Sequence, residues 1–251
     1  MPNLGVQLLP VYGLGEIEPG TDLAGVIGAA LVTQGTPLRD GDILVVTQKV
    51  VSKAEGCVVR LDEVEPSPLA TEWAELWHKD ARVVELVLRE SRRIVRMERG
   101  VIISETRHGL VCANAGVDQS NVGANSVTLL PLDPDASAER LRSALSQASG
   151  ANIGIVISDT FGRAWREGQV NVAIGVAGVE SMRHFEGQLD PTGYELRVTL
   201  LATADELSSA AELVMGKVDG VPVALVRGLE RAIGSGSARE IVRPAATDMF
   251  R

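Results

Sequence analysis

Apolar and polar positions follow two periods along the chain, and the switches between them mark out its elements. Val6–Val11 is a short apolar run that predicts a buried strand. Pro19-Gly20-Thr21-Asp22 then stops the chain and offers a helix cap. Leu23, Val26, Ile27, Ala30 and Leu31 follow at helical spacing, and Gly35 closes that helix. After the Asp40-Gly41-Asp42 turn, Ile43–Thr47 is a β-branched run of the kind buried on both faces of a sheet. Leu69–Lys79 and Ala81–Ser91 read as two helices. Ile94–Glu98, Val101–Glu105 and Leu110–Ala113 read as strands of an antiparallel meander, bent at Arg99-Gly100 and Arg107-His108-Gly109. Further on, Ser137–Ser149 predicts a helix, Ile153–Ser158 and Gln169–Val176 predict strands, Ala204–Met215 a helix and Val221–Val226 a strand. Strands mixed with helices in this order predict a mixed α/β, or α+β, architecture rather than a strict βαβ series.

No repeat or low-complexity tract interrupts the pattern. The expected organisation is one unit over residues 1–251, with a weak boundary near 63–68, at Glu63–Pro68. The longest nearly apolar stretch, Val170–Val179, is about half of the ~20 residues that span a bilayer. It is long for one exposed strand, which is compatible with a buried interface. The start Met1-Pro2-Asn3-Leu4 lacks the features of a signal peptide.

Composition narrows the function. A formal charge of −9 argues against a nucleic-acid binder, which needs a basic footprint. Aromatic residues at 3% leave little for a base-stacking platform, and an apolar fraction of 45% excludes disorder. Two cysteines, Cys57 and Cys112, cannot form a disulfide framework or a four-cysteine zinc site, which fits a reducing cytoplasm.

The common nucleotide and hydrolase signatures are missing. There is no G-x-x-x-x-G-K-[ST], H-E-x-x-H, G-x-S-x-G or C-x-x-C, and Gly13-x-Gly15 lacks a third glycine. More informative are polar residues next to apolar strands. Asp159 follows the run Ile153–Ser158 directly, where α/β sheets bind ligands, and Thr160, Gly162, Arg163 and Arg166 come next. A carboxylate and a hydroxyl can hold a hard cation, and guanidinium forks can hold phosphate or carboxylate. Asp118 lies in the polar loop Gly116-Val117-Asp118-Gln119-Ser120-Asn121. Thr47-Gln48-Lys49-Val50-Val51-Ser52-Lys53 places two lysines after another strand, and Met215-Gly216-Lys217-Val218-Asp219-Gly220-Val221-Pro222 is a glycine-containing turn. Each has a plain structural alternative: a capping aspartate, an Asx turn, solvated lysines, or simply a turn.

Taken together, these segments resemble the coenzyme F-420-0:γ-glutamyl ligase family. The resemblance is carried by Val50-Val51-Ser52-Lys53-Ala54-Glu55-Gly56 and by Ala115-Gly116-Val117-Asp118-Gln119-Ser120-Asn121-Val122. It continues in Ser158-Asp159-Thr160-Phe161-Gly162-Arg163 with Trp165-Arg166-Glu167-Gly168-Gln169, in Asn171-Val172-Ala173-Ile174-Gly175, and in Ala211-Glu212-Leu213-Val214-Met215-Gly216. It runs from about Leu8 to Arg251. It implies a two-lobed fold in an intertwined homodimer and a GTP-dependent ligation of L-glutamate to the deazaflavin coenzyme F-420-0. An acyl phosphate would be the intermediate, and magnesium or manganese at two sites, with potassium, would assist.

By the same resemblance Asp118 and Asp159 would hold the first metal and Thr160 would help hold the second. Gln48, Lys49, Lys53 and Asn121 would contact GTP. So would Leu14, Gly15, Glu16 and Ile17, and the turn Met215, Gly216, Lys217, Val218, Asp219, Gly220, Val221 and Pro222. Arg163 and Arg166 would clamp phosphate or carboxylate groups in catalysis. One departure stands out. Lys217 lies where a neutral or acidic second-metal ligand is expected, and an ammonium cannot ligate a cation, so only its backbone carbonyl could serve. The competing expectations are a metal-dependent phosphohydrolase, a nucleotide-binding module and a bare scaffold.

Overall fold

A computed structural model describes residues 5–249. In chain order the regular elements are β1 (Gln7–Pro10), α1 (Leu23–Thr33), β2 (Ile43–Thr47), α2 (Gln48–Ala54), β3 (Val58–Arg60), α3 (Pro68–Trp77), α4 (Ala81–Glu90), β4 (Ser91–Glu98), β5 (Val101–Thr106) and β6 (Val111–Ala113). They continue with β7 (Ser126–Thr128), α5 (Pro134–Ser149), β8 (Gly154–Arg163), β9 (Arg166–Ala177), β10 (Arg183–His184), β11 (Leu200–Leu201), α6 (Thr203–Met215) and β12 (Val223–Arg227). The mixed α/β expectation holds. The helix ends carry the chemistry that sets them. Asp22 accepts from the Gly25 N–H at the start of α1, and Asp133 does the same for Ala136 ahead of Pro134 in α5, whose far end turns on a left-handed Gly150.

The main sheet has the order β1-β12-β2-β8-β9, with β2 and β8 parallel and the other neighbours antiparallel. Both of its faces are covered, as the β-branched run in β2 requires. Leu44 and Val46 pack with Ile27 and Leu31 of α1 and Leu141 and Leu145 of α5. Ile43 and Val45 point the other way, to Leu207, Ala211 and Met215 of α6. A third apolar cluster, from Leu61 and Val64 through Val84, Leu86 and Ile102 to Val127, is built from the intervening segment. It includes the meander, in the order β4-β5-β6.

Two expectations need correction. The apolar length of Val170–Val179 does not call for an interface with another molecule, because Ile174 and Ala177 fill one of the chain's own cores while Ala173, Val176 and Val179 fill the other. Asp159 does not end a strand either. β8 runs on to Arg163, because it pairs with β9 in an antiparallel ribbon that outruns the end of β2. A bulge between Ile157 and Ser158 leaves Ile174 unpaired at the point where β2 stops.

Candidate functional site

The parallel register sets Thr47, the last residue of β2, beside Ser158. The chain turns from Thr47 directly into α2, so Gln48 and Lys49 emerge next to Asp159 and Thr160. β12 runs antiparallel to β2, and its start lies at the same edge: the Thr47 N–H donates to the Pro222 carbonyl at 2.9 Å. The Val11 N–H donates to the Val223 carbonyl, also at 2.9 Å, which brings in the segment leading to Leu14–Ile17. Four stretches separated in sequence thus meet at one sheet edge. Asp118 arrives from the loop after β6. It pairs through its backbone with Thr128, at 2.8 and 3.0 Å, and its Oδ2 lies 2.8 Å from the Lys49 ammonium.

The two aspartates differ electrostatically. Asp118 is held below the usual carboxylate range. Burial alone would raise it, but Lys49 and the Ser120 N–H, which donates to Oδ1 at 2.7 Å, stabilise its charge by more. Asp159 is pushed up to about 6, first by burial and then by the negative charge of Asp118. The Thr160 N–H, at 2.8 Å from its Oδ1, and the charges of Lys217 and Lys49 offset this in part. The charge of Asp118 opposes ionisation of Asp159, a conflict that a hard cation held by both would relieve. Among the described residues no group of three or more His, Cys, Asp or Glu side chains is arranged to hold a metal.

Lysines dominate the rest of the edge. Lys53 reaches Glu16 at 2.5 Å, tying α2 to the Leu14–Ile17 segment, in which Leu14 and Ile17 are buried. Gln48, also buried, accepts from Ser52 Oγ at 2.8 Å. Lys49 donates to Ser120 Oγ at 2.5 Å as well as facing Asp118. Asn121 is exposed, with a left-handed φ of 56°. In the turn after α6, Met215 is buried, Gly216 has a φ of 61°, and Val218 is exposed.

Sequence reasoning missed Asn171 and Glu212 as individual residues. Asn171 Oδ1 accepts from the Thr160 hydroxyl at 2.8 Å, and Asn171 Nδ2 donates to Glu212 Oε2 at 2.8 Å. The signal was present, since Asn171 is the one polar side chain within the run Val170–Val179, and a buried amide must find partners.

Arg163 and Arg166 do not join this cluster. Four residues of strand, about 13 Å, separate Arg163 from Asp159. Its guanidinium is bound to its own hairpin, donating to the Glu167 carbonyl at 2.7 Å and the Gly168 carbonyl at 3.4 Å. Arg166 is exposed beside Trp165, which is 79% exposed. A cavity of about 320 Å³ flanks the base of the same ribbon, lined by Leu110, Val111, Phe161, Val172 and Asp205 among others. Cys57 and Cys112 are both free thiols. Burial, with Asp159 nearby, pushes Cys112 up to about 12.

Residues 13–228 match the family described as F420-0:Gamma-glutamyl ligase. The chain belongs to that family. The matched span contains every element of the sheet edge just described except the first strand. Among relatives of this ligase-family chain is the Coenzyme F420:L-glutamate ligase of Methanothermobacter thermautotrophicus, 45% identical over 99% of this chain and 100% of that protein. The protein of the same name from Methanopyrus kandleri is 46% identical over 100% of this chain and 99% of that protein. That of Archaeoglobus fulgidus is 43% identical over 98% and 96%. No helix among the described residues is long and apolar enough to cross a membrane.

Proposed function

We propose that this protein uses GTP to ligate L-glutamate to the deazaflavin coenzyme F-420-0, and then to add further γ-glutamyl units, in coenzyme F-420 biosynthesis in the cytoplasm. The observation that carries this reading is similarity over essentially the full length of both chains to proteins named Coenzyme F420:L-glutamate ligase. The clustering of Asp118, Asp159, Lys49 and Lys53 at one sheet edge supports it.

A carboxylate does not condense with an amine without activation. In the proposed route the acceptor carboxylate attacks the γ-phosphorus of GTP, releasing GDP and forming an acyl phosphate. The glutamate amine then attacks the acyl carbon, inorganic phosphate leaves, the nitrogen gives up a proton, and an amide remains. Phosphoryl transfer asks a protein chiefly for positioning and positive charge. Lys49 and Lys53 sit where a triphosphate would draw them from Asp118 and Glu16, and the turn Met215–Pro222 offers backbone to the nucleotide. Asp118 and Asp159 fit one magnesium or manganese ion, which characteristically takes one or two carboxylates and completes its shell with substrate phosphates and water. When bound, that ion would neutralise charge developing on the transferred phosphoryl group. Potassium would assist as a monovalent counter-charge. A homodimer fits the exposure of Trp165, Tyr194 and Val198, apolar or aromatic side chains left uncovered in one chain. In such a dimer the ribbon tip would carry Arg163 and Arg166 towards substrate carboxylates or phosphates.

The test is a mass spectrum of the deazaflavin after incubation with the protein, GTP, L-glutamate and manganese. Glutamyl additions that disappear when GTP is omitted are expected. Unchanged deazaflavin alongside hydrolysed GTP would overturn the ligase reading in favour of a phosphohydrolase.

A further inference from the structure

Four side chains close a ring beside Asp159. Lys217 Nζ donates to Thr160 Oγ1. The Thr160 hydroxyl proton goes to Asn171 Oδ1 at 2.8 Å, Asn171 Nδ2 donates to Glu212 Oε2 at 2.8 Å, and Glu212 Oε1 lies 3.8 Å from Lys217 Nζ. Each group has its direction fixed. A hydroxyl carries one proton and two lone pairs, so with its proton given to the buried Asn171 it offers an acceptor to Lys217. The amide must turn its oxygen to Thr160 and its nitrogen to Glu212. The negative charge at the end of the ring belongs to Glu212, and the positive charge that answers it belongs to Lys217.

A second divalent cation using Thr160 as ligand would have to share the hydroxyl oxygen with the Lys217 ammonium, a positive group with three donors and no acceptor, and would sit against its charge. It would also compete for the carboxylate already balanced by Lys217. The donor set around Thr160 therefore does not fit a second metal, whereas the pair Asp118 and Asp159 fits a first one. We propose that the Lys217 ammonium is a tethered substitute for a second divalent cation, so that this chain takes one divalent ion per nucleotide rather than two. The inference rests on the nucleotide-dependent ligase reading. It makes Lys217 a positioning residue for that site and the residue that sets its metal stoichiometry.

Manganese counting tests it without turnover. Protein saturated with a non-hydrolysable GTP analogue is titrated with manganese, and free Mn(II) is followed by electron paramagnetic resonance. The wild-type chain is expected to hold one tightly bound manganese per chain, Lys217→Arg one, and Lys217→Gln two. The Lys217 side chain is 58% exposed, so the glutamine variant removes no buried group. Two manganese ions in the wild type would overturn the inference and leave the ligase reading standing. One manganese in Lys217→Gln would also overturn it, because the lysine would then not be what limits the count. Failure of the wild type to retain the analogue with manganese present would overturn the nucleotide reading, and this inference with it.

Discussion

Asn171 Nδ2 donates to Glu212 Oε2 across 2.8 Å, and this bond ties the β8–β9 ribbon to α6. Asn171 is 2% exposed, and its other amide atom holds the Thr160 hydroxyl. Asn171→Ala should therefore cost more than one hydrogen bond, because it removes two at once and leaves a cavity where a buried amide stood, while Lys217 still faces both Thr160 and Glu212. The expected loss is about 2–4 kcal/mol in urea unfolding. Ligation should fall about 10–100-fold, the scale of losing a group that orients a site from behind. A variant as stable and as active as the wild type would show that the ring is incidental.

Asp159 gives a pH dependence of unusual sign. In the fold its carboxyl keeps a proton up to about pH 6, while in the unfolded chain it releases it near the ordinary 3.8. Between these values the native state binds more protons, so this residue's contribution to stability falls as pH rises through the window. Above pH 6 the whole cost is in place, about 2–3 kcal/mol. Asp159→Asn removes that titration and can still accept from the Thr160 N–H. Without divalent cations, the variant should melt about 4–10 °C above the wild type at pH 8 and near it at pH 4. Equal melting temperatures at both pH values would refute the strained carboxylate.

Asp118 should behave differently, because Lys49 and Ser120 already stabilise its charge. Asp118→Asn keeps an acceptor for the Ser120 N–H, so the fold should survive. What it loses is a charge that answers Lys49 and would answer a cation. The kcat/KM for ligation should fall at least about 10²-fold, the range found when one electrostatic stabiliser is removed. A fall of less than about threefold would place the metal elsewhere.

What the sequence disclosed and what it hid divide along physical lines. Ile43–Thr47 was legible as doubly buried because every residue is apolar or β-branched, and its alternate residues do fill different cores. Asp159 was visible as a polar residue following an apolar run. That its strand continues was not visible, because the continuation depends on pairing with β9 rather than on local pattern. The short helix α2 was not legible as a helix, since Val50 and Val51 are poor helix formers. Burial of those valines, and the Gln48–Ser52 contact, hold it instead. Lys217 and Thr160 are 57 residues apart, and no periodicity encodes their meeting.

Away from the site, Arg227 and Asp42 form a two-pronged ion pair, Nε to Oδ1 at 2.8 Å and Nη2 to Oδ2 at 2.7 Å. Asp42 is 1% exposed, and Arg227 also donates to the Pro37 carbonyl at 2.8 Å. Arg227→Met would strand a buried carboxylate, a change that costs about 3–5 kcal/mol. Asp42→Asn in the same chain should recover part of that loss. If the methionine variant unfolds within about 1 kcal/mol of the wild type, the pair is not holding β12 to the turn before β2.

Gly216 controls where Lys217 points. Its φ of 61° and ψ of 159° lie in a region open essentially to glycine, and an added Cβ would meet the Asp219 carboxylate at 2.2 Å. Gly216→Ala therefore carries a backbone cost of about 1–3 kcal/mol, which the exposed turn can relieve by moving. Relief by movement takes the Lys217 ammonium away from Thr160. Global stability should then drop by less than the full strain, while the Michaelis constant for GTP rises. Steady-state kinetics with GTP varied, alongside urea unfolding, separate the two effects. A stability loss with the GTP constant unchanged would mean that the turn keeps its shape and does not touch the nucleotide.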